Sequence, residues 1–170
     1  MSKIFVTGNV DFGSTEDVGT RRSLYTITAD RDAVISGNWN RVVAEEDAVF
    51  VIGNVSNYGK DETASIISQL HGSKTLIKGR RDKDMDNRYW TDIGFDEVSN
   101  YPIIYKDWFV LLPEPPIYSD ITMPFFWIFG KYVGVGEHST FTRKTVCMSI
   151  ERWNYVPVEL NKVIEMLLQT

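Results

Sequence analysis

Cysteine and histidine are scarce in this chain of 170 residues: there is one cysteine, Cys147, and there are two histidines, His71 and His138. One cysteine closes no intramolecular disulfide and builds no cysteine-based zinc site. His71 stands in the turn Leu70-His71-Gly72 and His138 in a polar stretch after Gly136-Glu137, so both read as ordinary solvent-facing residues. Long apolar runs are missing as well. The most apolar segment, Pro124 to Phe129, falls far short of the ~18 residues of a membrane span. The first residues lack the apolar run of a secretory signal, so a reducing, cytoplasmic setting is expected and the sequon Asn54-Val55-Ser56 is read as chance. An excess of positive charge is also absent. Eighteen basic residues stand against 23 acidic ones, a net charge of −5, which argues against bulk binding to nucleic acid or to an anionic membrane.

What is present is ordinary globular composition, 43% hydrophobic and 24% charged. A chain of this length suits a single domain, residues 1–170, and buries roughly 70% of its unfolded surface. Lys3 to Thr7 is a β-rich run closed by Gly8. Ala29 to Val43 has a helical spacing of Val34, Ile35, Trp39, Val42 and Val43, with Asp30 and Asp32 suited to the first turn. Ala48 to Ile52 is continuously apolar, the pattern of a parallel strand buried on both faces. A second helix is expected over Asp61 to Leu70 and a third strand over Thr75 to Ile77. Short strand-like runs follow at Glu97–Ser99, Ile103–Tyr105, Phe109–Leu112, Phe125–Phe129 and Thr145–Ile150, then a closing amphipathic helix over Val158–Leu168. The order βαβαβ, a strand-rich half and a last helix predicts an α/β sandwich with helices outside.

In such folds the loops after the strand ends gather the chemistry. Three of them open with glycine at once after a strand or one residue later: Gly8-Asn9-Val10-Asp11-Phe12-Gly13, Gly53-Asn54-Val55-Ser56-Asn57 and Gly79-Arg80-Arg81-Asp82. The first is not a dinucleotide fingerprint, because its glycine spacing is wrong and no helix follows directly. Cys147 lies inside an apolar run and reads as a buried, inert thiol. Ser14, Ser23 and Ser56 have no histidine nearby in sequence to activate them.

Three further segments stand out: Asn38-Trp39-Asn40, Leu76-Ile77-Lys78-Gly79, and Trp153-Asn154-Tyr155-Val156-Pro157-Val158. With the three loops they resemble the calcineurin-like metallophosphoesterase superfamily, in its compact phage and bacterial branch, over nearly the whole chain. The resemblance implies a metallophosphoesterase-like sandwich of mixed β-sheets flanked by helices. Its scaffold segments match; its metal-binding motifs are degenerate. In the family the first loop carries Asp-x-His, where this chain has Asn9 and Asp11. The metal-bridging Asp of the second loop corresponds to Asn54. In the third loop, Gly-Asn-His-Asp becomes Gly79-Arg80-Arg81-Asp82, so Arg80 replaces a ligand and Arg81 the catalytic histidine. The later histidine falls near Pro113. The final Gly-His-x-His falls at Gly130-Lys131-Tyr132-Val133, which puts Lys131 at a ligand position.

A two-metal site needs anionic and imidazole ligands. Asn9 and Asn54 offer neutral oxygens, and Arg80, Arg81 and Lys131 repel a cation by roughly 4 kcal/mol each at ~4 Å and an effective dielectric of 20. The expectation is therefore no metal, no cofactor and no catalytic residue: a pseudoenzyme used for binding or regulation, with a protein of unknown identity as its partner. A phage origin would make a host protein the natural target, in the host cytoplasm. The alternative is a divergent phosphoesterase with a single metal at Asp11 and Asp82, or a metal-free phosphodiesterase using Arg81. Two readings of the cations stay open. They pair internally with Asp11 and Asp82 to hold the loops together, or they receive a phosphate or carboxylate. Binding of a nucleic-acid end at Arg80-Arg81-Lys83 is disfavoured by the interleaved Asp82, Asp84 and Asp86. The proline-stiffened stretch Pro113 to Asp120 is a candidate protein-binding loop, with Pro115, Pro116, Ile117 and Tyr118 as its contacts.

Overall fold

The structure, a computed structural model, describes residues 1–15, 25, 27–116, 123–131 and 144–169. Its elements run β1 (Ile4–Gly8), α1 (Thr28–Val42), β2 (Ala48–Ile52), α2 (Lys60–Ile67), β3 (Ser73–Ile77), α3 (Asn87–Ile93), β4 (Glu97–Ser99), β5 (Ile103–Tyr105), β6 (Phe109–Leu112), β7 (Phe126–Phe129), β8 (Thr145–Cys147), β9 (Val158–Glu159) and α4 (Leu160–Leu168). They build a mixed α/β sandwich of two sheets flanked by helices. One sheet has the order β4-β3-β2-β1-β9, parallel except for β9, and the other has the order β5-β6-β7-β8.

The apolar run of β2 is explained by burial on both faces. Val49 and Val51 point into one core with Phe5, Leu76, Ile35, Trp39, Ile67, Trp90 and Ile93, between the first sheet and helices α1, α2 and α3. Phe50 and Ile52 point the other way, with Val6 and Ile77, onto Phe109, Leu111 and Ile128 of the second sheet and Leu160, Val163 and Leu167 of α4. Each such side chain contributes about 1.5–3 kcal/mol on full burial, so the run anchors the fold from both sides. Among the described residues no helix is long and apolar enough to cross a membrane.

The second helix, expected over Asp61 to Leu70, ends at Ile67, and the third strand, expected from Thr75, starts at Ser73. Three further elements differ more. Helix α3 was not foreseen: it is only seven residues long, starting from Asp86, whose side chain accepts from Tyr89 N at 2.8 Å, and ending at Gly94 with φ of 120°. The strand expected over Thr145–Ile150 stops at Cys147, and Ile150–Trp153 forms a 3₁₀ turn. The last helix begins at Leu160, because Val158 and Glu159 pair antiparallel with Val6 and Phe5 and cover the edge of β1.

Candidate functional site

The register sets the site. Gly8 lies beside Ile52, and Ile52 beside Ile77, so β1, β2 and β3 end level and their three loops leave on one edge. The loops then approach more closely than side chains allow. A Cβ on Gly53 would fall 1.9 Å from Asp82 Oδ2 and 2.3 Å from Gly79 N, and one on Gly8 would fall 2.6 Å from Gly130 Cα. The two sheets meet at the same point, where Gly8 N donates to Met148 O at 2.8 Å and Met148 N to Phe129 O at 2.7 Å.

Asn9 and Asp11 both take left-handed backbone conformations, φ 47° and 52°, which Asn and Asp tolerate better than most residues. This folds the first loop along the second, with Asp11 N donating to Asn54 O at 3.2 Å and Phe12 N to Val55 O at 3.0 Å. Beneath it lies Arg31 of α1, with 0% of its surface exposed. Its guanidinium donates to Val10 O (3.0 Å), Asp11 O (3.2 Å), Asp32 Oδ1 (3.3 Å) and Glu151 Oε1 (3.2 Å). Asp32 in turn accepts from Gly13 N at 2.8 Å and from the Tyr58 hydroxyl at 3.0 Å. Burial, reinforced by that carboxylate, pushes the Tyr58 hydroxyl up to about 12. Asp32 was expected to serve the helix dipole; its side chain instead fixes the loop. Arg31 was not singled out from the sequence, where a lone arginine in a first turn carries no signal.

The singled-out residues do come together. Asn54 Nδ2 donates to Asn9 Oδ1 at 3.2 Å, and Arg81 N donates to Asn54 Oδ1 at 3.2 Å. The Arg81 guanidinium pairs with Asp11 Oδ1 and also donates to Asn57 Oδ1. Lys131 Nζ lies 3.9 Å from Asp11 Oδ2. Asp82 behaves differently from the internal pairing proposed for it. It is buried, and its two oxygens accept from Val55 N at 3.0 Å and Gly79 N at 2.8 Å, with no ion pair to either arginine among the described residues. Burial pushes its carboxyl above the usual carboxylate range, and the two amides, then Arg81 and Lys78, offset part of that. Trp90 of α3 donates to the Asp82 carbonyl at 3.0 Å, so the unforeseen helix pins this loop.

Arg80 points outward. Its Nε lies 3.5 Å from Glu114 Oε1, with the side chains 73% and 42% exposed. Asn54, Gly79, Arg80, Arg81, Glu114 and Lys131 line a cavity of about 200 Å³ at this edge. Pro115 and Pro116 are half-buried near it, whereas Ile117 and Tyr118 lie outside the described residues, as does His138. His71 is half-buried rather than freely solvated, its Nδ1 3.1 Å from Val43 O. Cys147 is buried. Among the described residues no three His, Cys, Asp or Glu side chains are grouped so as to hold a metal ion.

No protein-family model matches the chain. It is 22% identical over 175 aligned residues to MJ1445, an uncharacterised protein of Methanocaldococcus jannaschii, across 98% of this chain and 92% of that one. It also resembles the crystal structure of AQ665, a protein of unknown function from Aquifex aeolicus, with a TM-score of 0.69 and 16% identity, covering 98% of this chain and 100% of that chain. These likenesses extend over the whole length and concern the fold.

The motif segments are scaffold in this structure. Trp39 Nε1 donates to His71 O at 3.0 Å, and Asn40 bonds Gln69 O and His71 N at 2.7 and 2.9 Å. Asn38 donates to Tyr155 O at 3.1 Å, and Trp153 Nε1 to Cys147 O at 2.9 Å. Together they tie α1 to α2 and to the turn before β9.

Proposed function

We propose that this chain is a metallophosphoesterase-like protein that has given up two-metal hydrolysis and works by binding, as an interaction or regulatory protein. One observation carries the reading: the side-chain oxygens at the positions of the degenerate motifs are already engaged within the protein. Asn9 Oδ1 is bonded by Asn54, Asn54 Oδ1 by the Arg81 amide, and Asp82 by two backbone amides, while Asp11 faces Arg81 and Lys131. A cation entering between them would have to displace two positive side chains from Asp11 and strip Asp82 of donors that burial makes costly to lose. The rival reading, one metal shared by Asp11 and Asp82, faces that cost in full.

The proposed partner is a protein, met through the rim formed by Pro113 to Pro116, where proline limits the entropy lost on docking. If the chain comes from a phage, a host protein is the expected target. Loss of a captured partner in a Pro115→Gly/Pro116→Gly variant would support that rim.

The test is thermal melting with millimolar manganese or micromolar zinc, beside assays of a generic phosphomonoester and phosphodiester with manganese. A ligand at 100 times its dissociation constant stabilises by ~2.7 kcal/mol. No upward shift and no turnover above buffer are expected. A rise of several degrees with near-unit metal by elemental analysis, or turnover that Arg81→Ala abolishes, defeats the proposal.

A further inference from the structure

We infer that the cavity beside Arg80 and Lys131 is a receptor for a single oxyanion group of the phosphate-like, dianionic class. The inference rests on the reading above, that cations have taken over these positions, and adds the ligand they would hold.

Three observations carry it. The first is sign. Arg80, Arg81 and Lys131 line the cavity with Glu114 as its one acidic side chain. Asp11 is buried and shared between Arg81 and Lys131, and Asp82 is turned onto backbone amides, so neither carboxylate lines the cavity. The second is that a carboxylate already stands against Arg80. The contact with Glu114 is 3.5 Å long and both side chains are well exposed, so it is a weak pair that a stronger, doubly charged anion can displace. The third is size. At about 200 Å³ the cavity is smaller than the ~300–1,000 Å³ of sites that enclose a drug-sized ligand. At ~30 Å³ per water it has room for one hydrated oxyanion, with the rest of any larger molecule outside.

The cations divide the work. Arg81 stays tied to Asp11 and Asn57 through two of its N–H groups, and a guanidinium has five donors in a planar fork. Arg80 can swing on its exposed stem once Glu114 releases it, and Lys131 supplies a compact point charge to the same cavity. Gly53 and Gly79 also line the cavity, and the space a Cβ on either would take is already filled by Asp82 or Asn54, so the two loops stay in contact there. A dianion is preferred over a single carboxylate because three cations line the cavity, against Glu114 on its rim and Asp11, which Arg81 and Lys131 already share.

The experiment titrates the full chain with inorganic phosphate, sulfate and acetate in the presence of a chelator, by calorimetry and by thermal melting. The variants are Arg80→Ala/Lys131→Ala, which leaves the Arg81–Asp11 pair in place, and Glu114→Gln. Saturable binding of phosphate and sulfate is expected, weakening with added sodium chloride. The double variant should lose at least about tenfold in affinity, and Glu114→Gln should gain severalfold, each tenfold being ~1.4 kcal/mol. Equal responses in the parent and the double variant, or no saturable response up to roughly 10 mM phosphate, overturn the inference. A response to acetate as strong as to phosphate overturns the dianion class. Because a chelator is present, phosphate binding stands or falls separately from manganese-dependent hydrolysis, which bears only on the reading beneath it.

Discussion

Replacing Arg81 by alanine removes the side chain that joins the third loop to Asp11 of the first. Asp11, whose side chain is 3% exposed with Arg81 in place, then loses the guanidinium that pairs with it. Stranding a fully buried charge costs ~3–5 kcal/mol. Two features of the structure reduce that figure. Arg81 is itself 38% exposed, so part of its attraction to Asp11 is screened, and Lys131 remains 3.9 Å from the other carboxylate oxygen. A loss of about 2 kcal/mol is therefore expected, which in a chain of this size lowers the melting point by roughly 4–8 °C. Asp11→Asn removes the buried charge itself and leaves an arginine able to reach solvent, so its cost should be smaller, about 1 kcal/mol. If the two side chains act through each other, the double variant loses about 2 rather than 3 kcal/mol. Urea unfolding of all four proteins measures that coupling. Independent sites add to within ~0.3–0.5 kcal/mol, so a coupling inside that range refutes the pairing as a lock, as does an Arg81→Ala protein that melts higher than its parent.

Arg31→Met should cost ~3–5 kcal/mol, seen as a large fall in melting point or loss of soluble protein, because Asp32 and Glu151 lose their buried cation and two loop carbonyls lose a donor; Arg31→Lys should recover little, since one ammonium does not reproduce the fork. Gly53→Ala should disrupt folding, with its Cβ 1.9 Å from Asp82 Oδ2, whereas Gly37→Ala, on an open face of α1, should stabilise by ~1 kcal/mol in the same melts. The pH dependence should carry two opposite signs. Amide donors from Lys3 and Ala44 hold the Asp47 carboxyl below its ordinary range, so its contribution is present above pH ~4 and lost as pH falls through the folded value. Asp82 is raised by burial, so its contribution is full below pH ~4 and lost as pH rises through its folded value. Stability profiles of Asp47→Asn and Asp82→Asn against the parent should therefore diverge in opposite directions, and parallel profiles contradict the assignment.

Much of the scaffold is written locally. The run Ala48 to Ile52 has no polar face, so it can only be a strand covered on both sides, and the observed β2 has those bounds. The runs at Glu97–Ser99, Ile103–Tyr105 and Phe109–Leu112 carry their own turn signals and form β4, β5 and β6 over the same residues. Glycines at strand ends marked the three loops, because close backbone approach leaves no room for a Cβ. The segments Asn38-Trp39-Asn40 and Trp153 to Val158 carried the resemblance, and in the structure their polar groups join α1, α2 and the turn before β9.

Partner choice was decided only by the tertiary structure. Asp11 and Asp82 are the same kind of residue in similar loops, yet one receives a guanidinium and the other two backbone amides, according to which donors the converging loops bring within 3.0 Å of Asp82. Arg80 and Arg81 are adjacent, yet one turns out to Glu114 and the other in to Asp11. Arg31 acquires its role from two carbonyls of a loop some twenty residues earlier and from Glu151, 120 residues later. Helix α3 is short and mostly polar, so its pattern is weak on its own, and it persists because Trp90 and Ile93 bury into a core built by other segments. Periodicity and backbone sterics act over a few neighbours and can be read along the chain. Charge pairing and burial depend on distance in space, which the fold alone supplies.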